Sequence, residues 1–207
     1  MTPQIILVMR EEEYEHFAGL MRERDENLQI FHAASKEELI AYKPKLHTLT
    51  RIICFSTYVI VPADIIDAVG GNCYNFHPGP PLYPGFDPLG LALYQGENMY
   101  GVTLHELVAE IDAGPIVDTV PFPILPDDTR DSIVEKGYGL LAHQFVAHLD
   151  ALMDTKTRLP RSRRRWGKNR TTRASIKPYY DLLPIMGEEE IARRKRAFGN
   201  LCSDKTQ

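Results

Sequence analysis

Asn75 and His77 stand two residues apart at the end of an apolar run, within NCYNFHPGPPLYPGFDP, residues 72–88. On an extended backbone side chains alternate between faces, so both reach the same side. An uncharged amide N–H beside an imidazole that titrates near neutral pH can stabilise a developing oxyanion. A capping asparagine next to a buried, hydrogen-bonded histidine would show the same spacing. Asp112 follows in EIDAGPIVD, residues 110–118, where Ala113-Gly114-Pro115 enforces a turn. It is a candidate acid or base, in a position that an ordinary turn aspartate also fills.

Other reactive side chains lack the neighbours their chemistry needs. His105-Glu106 resembles the start of a zinc-protease helix, but position 109 is alanine where a second histidine is required, and the segment reads as a strand; no metal site is expected. His143 and His148 lie five residues apart on a helix, and so on different faces. Neither a dinucleotide-type nor an ATP-type glycine loop follows any strand, and Ser56, Ser132 and Cys73 have no elbow or triad context. The run RLPRSRRRWGKNRTTR, residues 158–173, is half arginine and lysine. Three readings fit it: a solvated tail, arginine contacts to nucleic-acid phosphates beside the stacking surface of Trp166, or guanidinium groups holding a phosphorylated substrate.

The elements that must position these residues follow from apolar periodicity. Residues 4–9 (QIILVM), 28–33, 51–56 and 73–76 are short continuous apolar runs of the kind buried on both faces of a parallel sheet. Between them the pattern shifts to three- and four-residue spacing: residues 11–26, a short helix opened by the capping box Ser35-Lys36-Glu37-Glu38, and residues 63–69 behind Pro62. Further strands are expected at 101–108 and 116–124, with helices near 89–94, 129–153 and 188–198. This alternation predicts an α/β fold: a Rossmann-like, doubly wound, mostly parallel sheet flanked by helices, whose ligands bind at the carboxyl ends of the strands. The expected division is a domain over 1–155 and a basic C-terminal extension with a short helix over 156–207.

The 207 residues carry a formal charge of -4, which excludes no partner class by itself. Three scattered cysteines suggest neither a disulfide framework nor a zinc knuckle, and no run approaches the roughly 20 apolar residues of a membrane span. The expectation is a soluble cytoplasmic protein without a membrane partner.

Taken together, NFHPGPPLYPG and the later ALYQGENMYGVTLHELVAEIDAGPIV resemble the folate-dependent formyltransferases, whose signature is Asn-x-His-Pro, a proline-rich loop, Gly-Val-Thr and Asp-x-Gly-x-Ile. Order and spacing match over residues 49 to about 125, with RIICFSTYVIVPADIID supplying the preceding strand, loop and helix start. The resemblance implies a one-carbon transferase using 10-formyltetrahydrofolate as donor and no metal, with Asn75, His77 and Asp112 as catalytic residues. Asn75 and a protonated His77 would stabilise the oxyanion, and Asp112 would keep His77 charged and help remove the amine proton. By the same resemblance the folate lies near Thr57, Tyr58, Val59 and Ile60, near Pro84 and Gly85, and near Glu110, Ile111 and Gly114.

The acceptor implied is a primary amine on a small molecule, with phosphorylation and a homodimeric state left open and nucleic acid disfavoured. Where the glycinamide ribonucleotide branch has a glycine- and serine-rich phosphate loop, this chain has MREEEYEHF. The methionyl-tRNA branch adds a C-terminal β-barrel domain, for which no room is expected after RRKRAFGN, and its Arg-Gly is replaced by Pro84-Gly85. An amino-sugar nucleotide is one acceptor the resemblance allows; hydrolysis of the folate by water, or a non-catalytic folate- or RNA-binding role, are the alternatives.

Overall fold

A computed structural model describes residues 1–204. Strands β1 (Gln4–Val8), β2 (Gln29–Ala33), β3 (Thr50–Phe55) and β4 (Cys73–His77) alternate with helices α1 (Glu11–Arg24), α2 (Lys36–Ala41) and α3 (Ala63–Ala68). The chain then adds α4 (Pro88–Gln95), β5 (Met99–Glu106), β6 (Ile116–Pro123), α5 (Arg130–Ala147) and α6 (Leu149–Met153). The six strands form one sheet in the order β2-β1-β3-β4-β5-β6. The first four are parallel, and β5 and β6 run antiparallel to their neighbours. The expected α/β architecture is present, as a mixed but mostly parallel sheet.

Alternation along the strands divides the core into two layers. Ile5, Leu7, Ile53, Phe55, Tyr74 and Phe76 face α1 and α5, where Phe17 stacks on Phe145 at 3.9 Å between ring centres. Ile6, Val8, Ile52, Cys54 and Cys73 face the opposite layer with Leu39 of α2 and Ile65 and Ile66 of α3. Asn75 and His77 share the face of Cys73, on the second layer. Over β4 and β5 that face is covered by the loops 78–87 and 107–115 and by the segment 166–172, through the contacts described below.

The helix expected over 129–153 is interrupted at His148, whose φ of -100° and ψ of 6° end α5 and start α6. Helix α7 (Arg173–Tyr180) escaped the sequence reading because the basic run masks it; its Thr172–Ser175 capping box is the local signal for it. Strands β7 (Asp181–Leu182) and β8 (Ser203–Asp204) pair in parallel around α8 (Glu188–Phe198). Ile176 of α7 and Phe198 of α8 are buried with Leu89, Leu93, Tyr100 and Phe122, so the segment after residue 155 packs on α4 and the far end of β5 and β6. Among the described residues no helix is long and apolar enough to cross a membrane.

Candidate active site

Residues β4 contributes to the site are set by its pairing. Asn75 lies opposite His105 and His77 opposite Thr103 in the antiparallel register with β5, so all four side chains emerge on one face. Immediately after His77 the chain must turn tightly. A side chain at position 79 would place its Cβ 2.5 Å from His77 Nε2, so only glycine lets the proline loop fold back over the imidazole. Thr103 Oγ1 fixes that turn by donating to the Gly79 carbonyl at 2.7 Å.

Asp112 reaches the same point from the β5–β6 connection. Its backbone is left-handed, with φ of 46°, a conformation aspartate tolerates better than most residues. One carboxylate oxygen accepts the Gly85 N–H at 2.8 Å. The other stands 3.6 Å from His77 Nδ1 and 3.6 Å from His105 Nε2. The trio named from the sequence therefore converges, and with it comes a fourth member that sequence reasoning missed. His105 Nε2 is 3.2 Å from Asn75 Nδ2, and its Nδ1 is 2.8 Å from the Glu106 carbonyl.

Burial governs the charge of the two rings. His77 is 7 % exposed and His105 1 %. Loss of solvent pushes His77 below the ordinary imidazole range, and the attraction of Asp112 only partly opposes it. His105 is pushed down to about 4, first by burial and then by His77, with Asp112 again opposing. Burial thus disfavours the charged form of both rings. At His77 desolvation opposes the expected imidazolium, and the Asp112 carboxylate at 3.6 Å favours it.

The arginine-rich segment straps across this cleft. Arg161 pairs with the buried Glu106 carboxylate through Nε at 2.7 Å and Nη2 at 2.8 Å. Trp166 donates its indole N–H to the Gly114 carbonyl at 2.7 Å and stands edge-on to His105 and His77, with ring centres 4.9 and 5.8 Å away. Gly167 N–H donates to the Pro81 carbonyl, and Thr171 N–H to the Pro84 carbonyl. Gly85 permits this last contact: with φ of 101° and the Thr171 carbonyl oxygen where a Cβ would stand, no side chain fits. Arg163, Arg164 and Arg165 remain exposed, with no ion pair among the described residues.

The expected folate-lining residues divide into two groups. Gly85 touches Asp112 directly, Gly114 anchors Trp166, and Glu110 pairs with Arg170, whose Nη2 donates to the Asp112 carbonyl at 3.4 Å. Pro84 meets Thr171, and Ile111 is exposed beside Asp112. Thr57, Tyr58, Val59 and Ile60 form the loop after β3; no hydrogen bond, ion pair or ring contact joins them to the trio among the described residues. Tyr58 and Ile60 point into solvent instead.

Residues 11–147, well over half of the chain, match the family model described as formyl transferase. The chain belongs to the formyl transferase family. It is 27% identical over 126 residues to a methionyl-tRNA formyltransferase of Nitrosococcus oceani, a match covering 60% of this chain and 38% of that protein. To the phosphoribosylglycinamide formyltransferase of Bacillus subtilis it is 28% identical over 126 residues, covering 60% of this chain and 65% of the relative. The match thus spans less than two thirds of either relative's length. Among solved structures, a sugar N-formyltransferase from a Shewanella species superposes with a TM-score of 0.75 at 17% identity, over 95% of this chain and 88% of that one. The N-formyltransferase from Helicobacter canadensis, in complex with folinic acid and dTDP-3-aminofucose, gives 0.70 at 16% identity over 96% and 81%. At these identities the likeness is one of fold.

Proposed function

We propose that this chain transfers the formyl group of 10-formyltetrahydrofolate to the primary amine of a nucleotide-linked amino sugar. The observation that carries this reading is the convergence of Asn75, His77 and Asp112 on one point between β4 and the β5–β6 connection. The acceptor nitrogen attacks the formyl carbon and a C–N bond forms. The oxygen of the tetrahedral intermediate becomes an oxyanion, which the Asn75 amide N–H is placed to stabilise. The amine must shed a proton; the His77–Asp112 pair takes it and returns it to N10 of the folate as the old C–N bond breaks. Burial, which favours the neutral ring, suits that shuttle, because the ring can accept the proton and then sits beside a carboxylate that stabilises its charge.

The acceptor assignment draws on three features. Several solved neighbours that cover most of this chain are named for sugar substrates or hold a nucleotide-linked amino sugar, beside a methionyl-tRNA formyltransferase of similar fold. The N-terminus of α1, where a phosphate would otherwise find free N–H donors, carries Glu11, Glu12 and Glu13, and Glu13 already accepts the Arg10 N–H at 2.8 Å. Unpaired cations lie instead on the strap, at Arg163, Arg164 and Arg165, where a diphosphate could meet them. The two curated relatives named above are transferases, which favours transfer over hydrolysis of the donor.

The test is incorporation of label from 10-[14C]formyltetrahydrofolate into dTDP- and UDP-linked amino sugars, with Asn75→Ala as control. Transfer to at least one acceptor, lowered at least about a hundredfold in the control as expected for a lost oxyanion donor, is the predicted result. Equal transfer by both proteins, or none to any amine by a protein that binds 5-formyltetrahydrofolate, overturns the reading. Salt-sensitive RNA binding without folate binding would point to the non-catalytic alternative.

A further inference from the structure

We infer that His105 is a positioning residue for Asn75: as a neutral ring carrying its proton on Nδ1, it forces the Asn75 amide to present nitrogen rather than oxygen inside the cleft. The argument begins at Glu106. Its backbone carbonyl lies 2.8 Å from His105 Nδ1 and can only accept, so that ring nitrogen must hold a proton. A neutral imidazole has one N–H, which leaves Nε2 bare. Whatever Asn75 turns toward Nε2 at 3.2 Å must then be a donor, and the amide offers only its NH2 group. The orientation follows from the tautomer, not from the assignment of the amide atoms.

The surroundings hold the ring in that state. His105 is 1 % exposed. Trp166 stands edge-on at 4.9 Å with an interplanar angle of 89°, tied to Gly114, and helps keep the ring buried. The groups facing His105 are Asn75 and His77 from β4, Asp112 from the β5–β6 loop and Trp166 from the strap. Of these only Asp112 is a carboxylic acid side chain. It lies 3.6 Å from Nε2, beyond hydrogen-bonding distance.

The consequence is for the transition state. One amide proton of Asn75 is taken by Nε2, which locks the amide plane; the second stays available for an oxyanion. With His105 absent, a flip of the amide would turn a carbonyl oxygen toward developing negative charge. The kinetic part of this inference rests on the transfer reaction proposed above; the tautomer and the amide orientation do not.

The test has two arms. In uniformly 15N-labelled wild-type protein at pH 7, the His105 ring, assigned by its loss in His105→Gln, is expected to show a protonated Nδ1 and a bare Nε2. A proton on Nε2, or on both nitrogens, overturns the inference whether or not the protein is active. In turnover, His105→Phe is expected to lose about tenfold to a hundredfold in kcat, short of a fully deleted oxyanion donor, while its Kd for 5-formyltetrahydrofolate stays within about twofold. His105→Gln, whose side-chain oxygen can accept from Asn75, is expected to recover most of that loss. Equal impairment of both variants, or a matching rise in Kd, would mean that His105 only fills space.

Discussion

Replacing Asp112 by asparagine separates chemistry from architecture at this site. Asparagine is nearly isosteric, tolerates the left-handed φ of 46°, and offers a carbonyl oxygen to the Gly85 N–H now held at 2.8 Å. What remains of the structural loss is the change from a charge-assisted to a neutral hydrogen bond, about 1 kcal/mol, or a Tm drop of roughly 2–4 °C for a chain of this size. The reaction loses more. A carboxamide cannot take a proton or stabilise an imidazolium at His77, 3.6 Å away. General-base losses run from about 10² upward, which is about 2.7 kcal/mol or more of barrier. Asp112→Ala provides the contrast: alanine in the left-handed region costs about 1–2 kcal/mol and the orphaned Gly85 N–H about as much again. Initial rates of labelled formyl transfer, beside thermal unfolding followed by circular dichroism, read both quantities. Asp112→Asn should fall at least about a hundredfold in kcat while melting within a few degrees of wild type, and Asp112→Ala should fall in both. Turnover by Asp112→Asn near the wild-type rate would refute the placement of Asp112 in proton transfer.

Three further outcomes are expected. His105 is held at about 4 in the folded chain against an ordinary 6.5, so between those values the unfolded chain binds the extra proton; stability should fall as pH drops from about 6.5 toward about 4, and His105→Gln should flatten that decline in urea titrations. Gly85→Ala sets a Cβ against the Thr171 carbonyl at a φ of 101°, so the strap should detach, with at least ~2 kcal/mol lost and faster tryptic cutting among Arg163, Arg164 and Arg165; unchanged melting and cleavage would contradict the docking described. Replacing Arg163, Arg164 and Arg165 together by alanine should raise KM for a nucleotide-linked amine and leave the Kd for 5-formyltetrahydrofolate alone, whereas an unchanged KM would make these side chains mere solvated charge.

What could be read in the sequence was what depends on near neighbours. The four parallel strands show as runs such as QIILV and TRIICF because a strand covered on both faces needs apolar residues at every position. Asn75 and His77 share a face because alternation is a local rule, and the motif around Asp112 supplied the third member. The C-terminal segment shows the opposite case. Nothing in RLPRSRRRWGKNRTTR states that Arg161 will find Glu106 or that Trp166 will find Gly114, 52 residues earlier.

His105 marks the boundary most clearly. Its own segment read as a strand, but its place opposite Asn75 depends on the register of β5 against β4, and 21 residues of proline loop and helix α4 lie between His77 and Met99 without fixing that register. Chemistry of the individual groups was determined by the sequence: an amide, a carboxylate, imidazoles and a basic run. Tertiary structure alone decided which imidazole faces which carboxylate, that burial disfavours charge on both rings, and that the segment around Trp166 docks over the cleft, because burial and long-range contact change a side chain's proton affinity and its partners without changing its identity.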